Sequence, residues 1–84
     1  YPNPFNPVTT ITFELAKSEL VSLNVYDVRG NLINNLINSE KAQGRYNVDW
    51  NGVNNSKENV TGGVYFYRID TDSYSATKKM ILLK

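Results

Sequence analysis

The side chains of this chain that could do chemistry are its carboxylates, its aromatic rings and a group of lysines near its last residues. Histidine and cysteine are absent, which removes the commonest general base and every thiolate metal site. No nucleophile-elbow motif or glycine-rich phosphate loop occurs. Glycoside hydrolysis needs two acids that face each other across a cleft, but seven acids fall at predicted turns or on strand faces expected to meet solvent: Glu14, Glu19, Glu40, Asp49, Glu58, Asp70 and Asp72. We therefore predict that the chain is not an enzyme and uses no cofactor.

A short oxygen-rich stretch is the one candidate for a metal site. Calcium prefers hard oxygen ligands supplied by a loop, and five such side chains occur close together: Asp49, Asn51, Asn54, Asn55 and Glu58. The alternating acids that precede a glycine in calcium-binding loops are missing, however. We therefore interpret the stretch as a turn and expect no bound metal.

Aromatic side chains offer a second candidate, a platform on which sugars could stack. The five residues concerned are Tyr46, Trp50, Tyr65, Phe66 and Tyr67. Trp50 and Tyr65 stand where two-sheet β proteins bury aromatic rings. We expect at least half of the five to lie in the core.

Three lysines flank the apolar residues 80–83 and could form a recognition tag. They are Lys78, Lys79 and Lys84. Lysines also occur on solvent-facing edge strands, where they discourage edge-to-edge aggregation. The two interpretations are compatible, and the spacing does not separate them.

The overall charge excludes several kinds of partner. Nine basic and eight acidic side chains give a net charge of +1 over 84 residues, so nothing favours binding to nucleic acid or to an anionic membrane. No apolar run approaches the roughly 20 residues of a membrane helix. We expect one small domain and no small-molecule substrate.

Alternation of apolar and polar residues indicates six or seven β-strands. Residues 9–15 and 21–26 show the period of two that half-buried strands require. Residues 32–37 also fit a helical turn, but their many asparagines favour a strand. The inward-facing positions predict this core: Ile11, Phe13, Leu15, Val21, Leu23, Val25, Tyr46, Val48, Trp50, Tyr65, Tyr67 and Ile69. For the last strand, the pairs Met80/Leu82 and Ile81/Leu83 are equally good candidates for the buried face.

Four glycines mark the ends of predicted strands. They are Gly30, Gly44, Gly52 and Gly63, and we expect at least two of them to have positive φ. Asn51-Gly52 is the strongest turn dipeptide of the set.

The first residues differ from the rest because they contain all three prolines, in the run Tyr1-Pro2-Asn3-Pro4-Phe5-Asn6-Pro7. Proline fixes φ and biases the preceding residue towards extended geometry. We interpret residues 1–8 as an extended lead-in from an upstream cargo and residues 9–84 as the folded domain. The chain is thus expected to be the C-terminal module of a longer protein.

Taken in order, these segments resemble a known family along essentially the whole chain. The chain is similar to the type A C-terminal sorting domain of the type IX secretion system of Bacteroidetes, and also to the immunoglobulin-like domain of flagellar hook-capping proteins. The resemblance is carried by residues 1–11, Val25-Tyr26-Asp27-Val28-Arg29-Gly30, Gly44-Arg45-Tyr46, Trp50-Asn51-Gly52, residues 62–69 and residues 78–84. One departure is Val60-Thr61-Gly62-Gly63, where Ser-Gly is more usual before Val-Tyr.

The resemblance implies both a fold and a function. The fold would be all-β, a small seven-stranded antiparallel immunoglobulin-like β-sandwich. The domain would direct an upstream cargo in the same chain across the outer membrane, recognised by the type IX translocon in the periplasm. A sortase-like cysteine protease would then remove it, leaving the cargo on the cell surface or secreted. The alternative is a passive immunoglobulin-like accessory module or a carbohydrate-binding module of a secreted glycoside hydrolase.

Overall fold

The structure, a computed structural model, describes residues 8–83, which form six strands and no helix. The strands are β1 (Thr9–Leu15), β2 (Glu19–Tyr26), β3 (Leu32–Lys41), β4 (Gly44–Trp50), β5 (Gly63–Thr71) and β6 (Ser75–Leu82). β1 pairs with β4, and the other four form a sheet in the order β3-β2-β5-β6. Every pairing is antiparallel. The all-β prediction is confirmed, with six strands among the described residues where the resemblance implied seven. Residues 1–7 of the predicted lead-in 1–8, and Lys84, lie outside the described residues.

No helix long and apolar enough to cross a membrane occurs among the described residues.

The two sheets enclose one apolar core, because each presents its alternate side chains to the other. Of the twelve residues predicted for this core, all are buried except Tyr46, Val48 and Tyr67, which are half-buried and pack against it. Met80 and Leu82 complete the core. The last strand therefore buries this pair and leaves Ile81 exposed.

An edge-to-face contact between two aromatic rings joins the sheets at one end of the core. The rings of Trp50 and Tyr65 lie 5.0 Å apart at an interplanar angle of 69°. Each ring also has its polar group satisfied: Trp50 Nε1 donates to the carbonyl of Val53 at 2.8 Å, and Tyr65 Oη donates to that of Thr61 at 2.6 Å. This arrangement lets large amphipathic rings be buried without an unpaired donor.

The predicted turn geometry occurs at the strand ends. All four glycines expected to allow it have positive φ values that side chains disfavour: 87° at Gly30, 152° at Gly44, 76° at Gly52 and 144° at Gly63. The segment predicted as a strand at residues 32–37 is also a strand, and it extends to Lys41.

Glu19 corrects the sequence interpretation, which placed it in a polar turn that meets solvent. It begins β2 and is only 2% exposed. Its position in β2 has the same parity as Val21 and Leu23, so it points inward. Hydrogen bonding to the side chains of Ser73 and Thr71 lowers the pKa of Glu19, against the opposing effect of burial.

Candidate functional site

The lysine-bearing strand β6 forms one edge of the four-stranded sheet. It pairs with β5 from Gly63↔Leu82 to Asp70↔Ser75. Among residues 8–83, no strand pairs with its other edge. An unpaired edge leaves a row of backbone N–H and C=O groups open to another strand.

The structure places the predicted lysines on different faces of β6. Lys78 is paired with Tyr67 and lies on the inward-facing side, where it lines a cleft with Phe13 and Tyr74 at the boundary of the two sheets. Lys79 is paired with Phe66 and lies on the opposite side. Both are exposed. The two described lysines therefore do not form one basic cluster, and Lys84 lies outside the described residues.

The opposite side of this sheet, which faces away from β1 and β4, is the outer face, and one end of it is apolar. We call this the Tyr26 end, because β2 ends there at Tyr26, where β5 begins and β6 ends. The cross-strand pairing places Leu32, Tyr26, Phe66 and Lys79 in one row. Val64 and Ile81 form the next row. We define the outer-face patch as Tyr26, Val28, Leu32, Val64, Phe66 and Ile81.

A groove runs between this patch and the turn that joins β2 to β3. Its lining residues are Tyr26, Asp27, Val28, Gly30, Phe66, Arg68 and Thr77. Tyr26 and Phe66 are half-buried, whereas Val28 is 66% exposed. The groove is therefore a concave surface that is open to solvent and has the rings of Tyr26 and Phe66 in its lining.

The β2–β3 turn is held by the carboxylate of Asp27. The backbone N–H groups of Arg29 and Asn31 each donate to Asp27 Oδ1 at 2.9 Å, and Asn31 Nδ2 donates to Oδ2 at 3.1 Å. The hydrogen bond from the Asn31 backbone is the main reason why the pKa of Asp27 is lowered. This network fixes the turn with Val28 and Arg29 exposed at its tip.

Beyond the apolar end, the outer face becomes polar. Arg68 Nε donates to both carboxylate oxygens of Asp70, at 3.1 and 3.0 Å, and Ser75 also donates to this carboxylate. These hydrogen bonds lower the pKa of Asp70, and the one from Arg68 has the largest effect. Asn35 Nδ2 donates to Asn24 Oδ1 in the same region. The polar side chains are thus occupied with one another.

Several of the side chains proposed as calcium ligands take part in hydrogen bonds within the protein. Asn54 Oδ1 accepts from the N–H groups of Ser56 and Glu58, and Asn54 Nδ2 donates to Glu58 Oε1. The Asp49 carboxylate accepts from Thr10 Oγ1 across the β1–β4 pair. Within residues 8–83, no three acidic side chains come together as a possible metal site. The stretch is organised as a loop by its own hydrogen bonds.

The aromatic side chains do not form one platform. Trp50 and Tyr65 are core residues, 1% and 5% exposed. Tyr46 stacks on Phe13 with ring centroids 5.2 Å apart. Phe66 lies on the outer face, so it is separated from the other four by the sheet itself.

The outer-face patch was not among the sites predicted from the sequence, because those predictions rested on the inward-facing side chains. The signal was present in the outward parity of Tyr26 and Phe66 in their strands.

Comparisons with known proteins agree with this architecture. The family model described as a secretion system C-terminal sorting domain matches residues 1–83. Among solved structures, FlgD from P. aeruginosa resembles the chain with a TM-score of 0.67 and 26% identity, over 89% of this chain and 59% of that one. The chain therefore spans less than two thirds of the FlgD structure. No curated protein matches the sequence.

Proposed function

The chain belongs to the family of secretion system C-terminal sorting domains, and on that premise we propose that it is recognised by the type IX translocon in the periplasm and then removed by a sortase-like cysteine protease. The family itself is a class of sorting signals and not of enzymes. Membership implies an upstream cargo, the type IX machinery and a secreted or cell-surface destination. The single observation that carries the proposal is the family match over residues 1–83.

The proposed organisation follows from the same match. Residues 1–8 would form the extended link to the cargo, and residues 9–84 the folded signal. With a seventh strand, the domain would complete an immunoglobulin-like sandwich. The likeness to FlgD supports this arrangement of strands.

Strand addition to β6 would give the translocon a physical means of recognition. The edge of β6 that faces away from β5 has no partner strand among the described residues. An extended segment that pairs with such an edge gains main-chain hydrogen bonds, while side chains alongside it give specificity. Lys78, Lys79 and Lys84 would supply charge on and beside this strand.

The test compares the wild-type domain with a variant in which Lys79 and Lys84 are changed to serine. Each is fused to a fluorescent cargo with a signal peptide, in a host that has type IX secretion, and the fluorescence is measured in the periplasm and outside the cell. We expect the wild type to be exported and the variant to be retained. Lys79 is exposed, and a substitution at such a site changes stability by only about 0.5 kcal/mol.

Two results would contradict parts of the proposal. Retention of the wild-type fusion would reject the sorting function of this chain. Equal export of both fusions would show that the lysines are surface charge only, and recognition would then depend on another surface. Mass analysis of the exported cargo tests cleavage, since an intact domain on every exported molecule would exclude removal by a protease.

A further inference from the structure

We propose that the outer-face patch, together with Arg29 and Lys79, is the docking surface for a protein segment that carries acidic and apolar side chains. This inference rests on the proposed function, because the segment would belong to a component of the export machinery. It adds a surface on the face of the sheet to the strand edge discussed above. The exposure of apolar side chains, the distribution of charge and the rigidity of the β2–β3 turn support it.

The exposed apolar side chains are concentrated at one end of the molecule. Among residues 8–83, five exposed apolar side chains lie at the Tyr26 end of the four-stranded sheet or next to a strand that ends there: Val28, Leu32, Val64, Ile81 and Leu83. Of the others, Leu20 and Tyr74 lie at the opposite end of this sheet, and Val8 precedes β1 of the other sheet. Single exposed apolar residues are normal on a protein surface, whereas contiguous ones mark interaction sites.

Folding does not account for this exposure. Ile81 is 56% exposed on β6, while its neighbours Met80 and Leu82 supply the strand's contribution to the core. Two half-buried aromatic rings, Tyr26 and Phe66, extend the apolar surface across the outer face, from Ile81 on β6 to β2. A partner that covers these side chains would remove apolar area from water, which is the main favourable term in association.

Two cations border the patch, and the charge of one of them, Arg29, contributes to the lowered pKa of Asp27. The ion pairs in the described part of the chain are Arg45–Glu14 and Arg68–Asp70, so neither Arg29 nor Lys79 belongs to one. The acid of the same turn, Asp27, already accepts three hydrogen bonds that hold the turn. An acidic segment would therefore complement the charge, whereas a second copy docked patch to patch would oppose cation to cation.

The surface is already formed before a partner arrives. Gly30 N donates to the carbonyl of Asp27 at 3.0 Å, and Asp27 N donates to that of Asn31 at 3.0 Å. Together with the carboxylate network, these bonds hold Val28 at the groove. Binding to a preformed surface avoids much of the entropic cost of ordering a loop.

The first experiment measures export of the fluorescent cargo fusion carrying single substitutions on the outer face. We expect Ile81→Ser and Lys79→Glu each to lower the exported fraction about fivefold or more, as loss of a central contact does. Leu20→Ser is the matched control, since Leu20 is 53% exposed on the same face but at the other end of β2. Lys79→Arg, which keeps the charge, should be exported like the wild type. Thermal unfolding of each purified domain should show unchanged stability.

The outcomes separate this inference from the function on which it rests. Retention of the wild-type fusion rejects the sorting function and the inference with it. Export of the wild type together with normal export of Ile81→Ser and Lys79→Glu rejects the docking surface alone. An equal loss in Leu20→Ser also rejects it, because the effect would then not be specific to the Tyr26 end.

The second experiment identifies the occupant by placing a photo-crosslinking amino acid at position 28 in the exporting cells. The proposal expects an adduct with a type IX component whose crosslinked segment carries an acidic residue. The adduct should be lost in Lys79→Glu and regained when that acidic residue is replaced by lysine. An adduct with a second copy of the chain or with lipid, or no adduct at all, would overturn the proposal.

Discussion

Replacement of Trp50 tests how the two sheets are held together. Its side chain is 1% exposed and contacts Tyr65 across the core. Truncation of a buried Trp to Ala costs about 3–5 kcal/mol, which is most of the roughly 5 kcal/mol expected for a domain of this size. Between zero and about 2 kcal/mol would remain, so we expect up to about half of the Trp50→Ala molecules to be unfolded at 25 °C.

Trp50→Phe should be much milder, and the structure shows why. The volume lost is roughly 40 Å³, which at about 24 cal/mol per Å³ amounts to roughly 1 kcal/mol. Loss of the indole hydrogen bond adds about 1 kcal/mol. The carbonyl of Val53 is not left unpaired, because Asn34 Nδ2 also donates to it at 2.9 Å. The expected total is about 2 kcal/mol.

Urea unfolding followed by far-UV circular dichroism is the appropriate assay, because both variants lack the chain's single tryptophan. Leu20→Ala serves as the control at an exposed site and should change stability by no more than about 0.5 kcal/mol. The reasoning is refuted if Trp50→Ala loses less than about 1 kcal/mol, or if Trp50→Phe is as unstable as Trp50→Ala.

Three further predictions concern the turns and the acids. Gly30→Ala should destabilise the domain by about 1 kcal/mol or more, because φ is 87° at this residue and an added Cβ would meet no other atom. Gly62→Ala is the control, since Gly62 does not have a positive φ. Equal urea midpoints for the two variants would contradict the prediction. Because hydrogen bonding lowers the pKa of Asp27, its stabilisation is present at neutral pH and is lost as the pH falls below about 4. As the pH is lowered from about 6 to about 2, the melting temperature of Asp27→Asn should therefore decline less steeply than that of the wild type. Identical pH profiles would show that the Asp27 carboxylate does not stabilise the fold. Calcium should leave the melting temperature unchanged, whereas a rise with concentration would show that the domain binds the ion.

The inward halves of the strands could be predicted because alternation is strict there. From Ile11 to Leu15 in β1 and from Val21 to Val25 in β2, every second residue is apolar and buried, so the period of two assigns the face directly. The last strand could not be assigned in this way, since residues 80–83 are all apolar. Pairing decides it: Met80 lies opposite Tyr65, whose ring is already in the core. The buried face of the last strand is therefore determined by its pairing with β5 and not by its own sequence pattern.

Glu19 shows the opposite case, in which a residue type obscured a valid pattern. Its neighbours Lys17 and Ser18 are polar, which favours a turn, but its parity with Val21 and Leu23 requires it to face inward once β2 begins. Ser73 of the β5–β6 turn and Thr71 at the end of β5 lower the pKa of this carboxylate by hydrogen bonding, while its Oε1 atom has no partner among the described residues. The sequence does not show that this turn lies beside the start of β2, because the contact follows from the pairing of β2 with β5.

The outer-face patch depends on long-range pairing in the same way. Outward parity identifies Tyr26, Phe66 and Ile81 individually, but three separate strand pairings and two register shifts between β2 and β3 bring them into neighbouring rows with Leu32. A slip of one residue in any pairing would move one of these side chains to the other face. The register that builds the core thus also fixes the patch. A sorting signal whose docking surface depends on correct register would be recognised only after folding, and an unfolded domain would then lack the surface even though its sequence is unchanged.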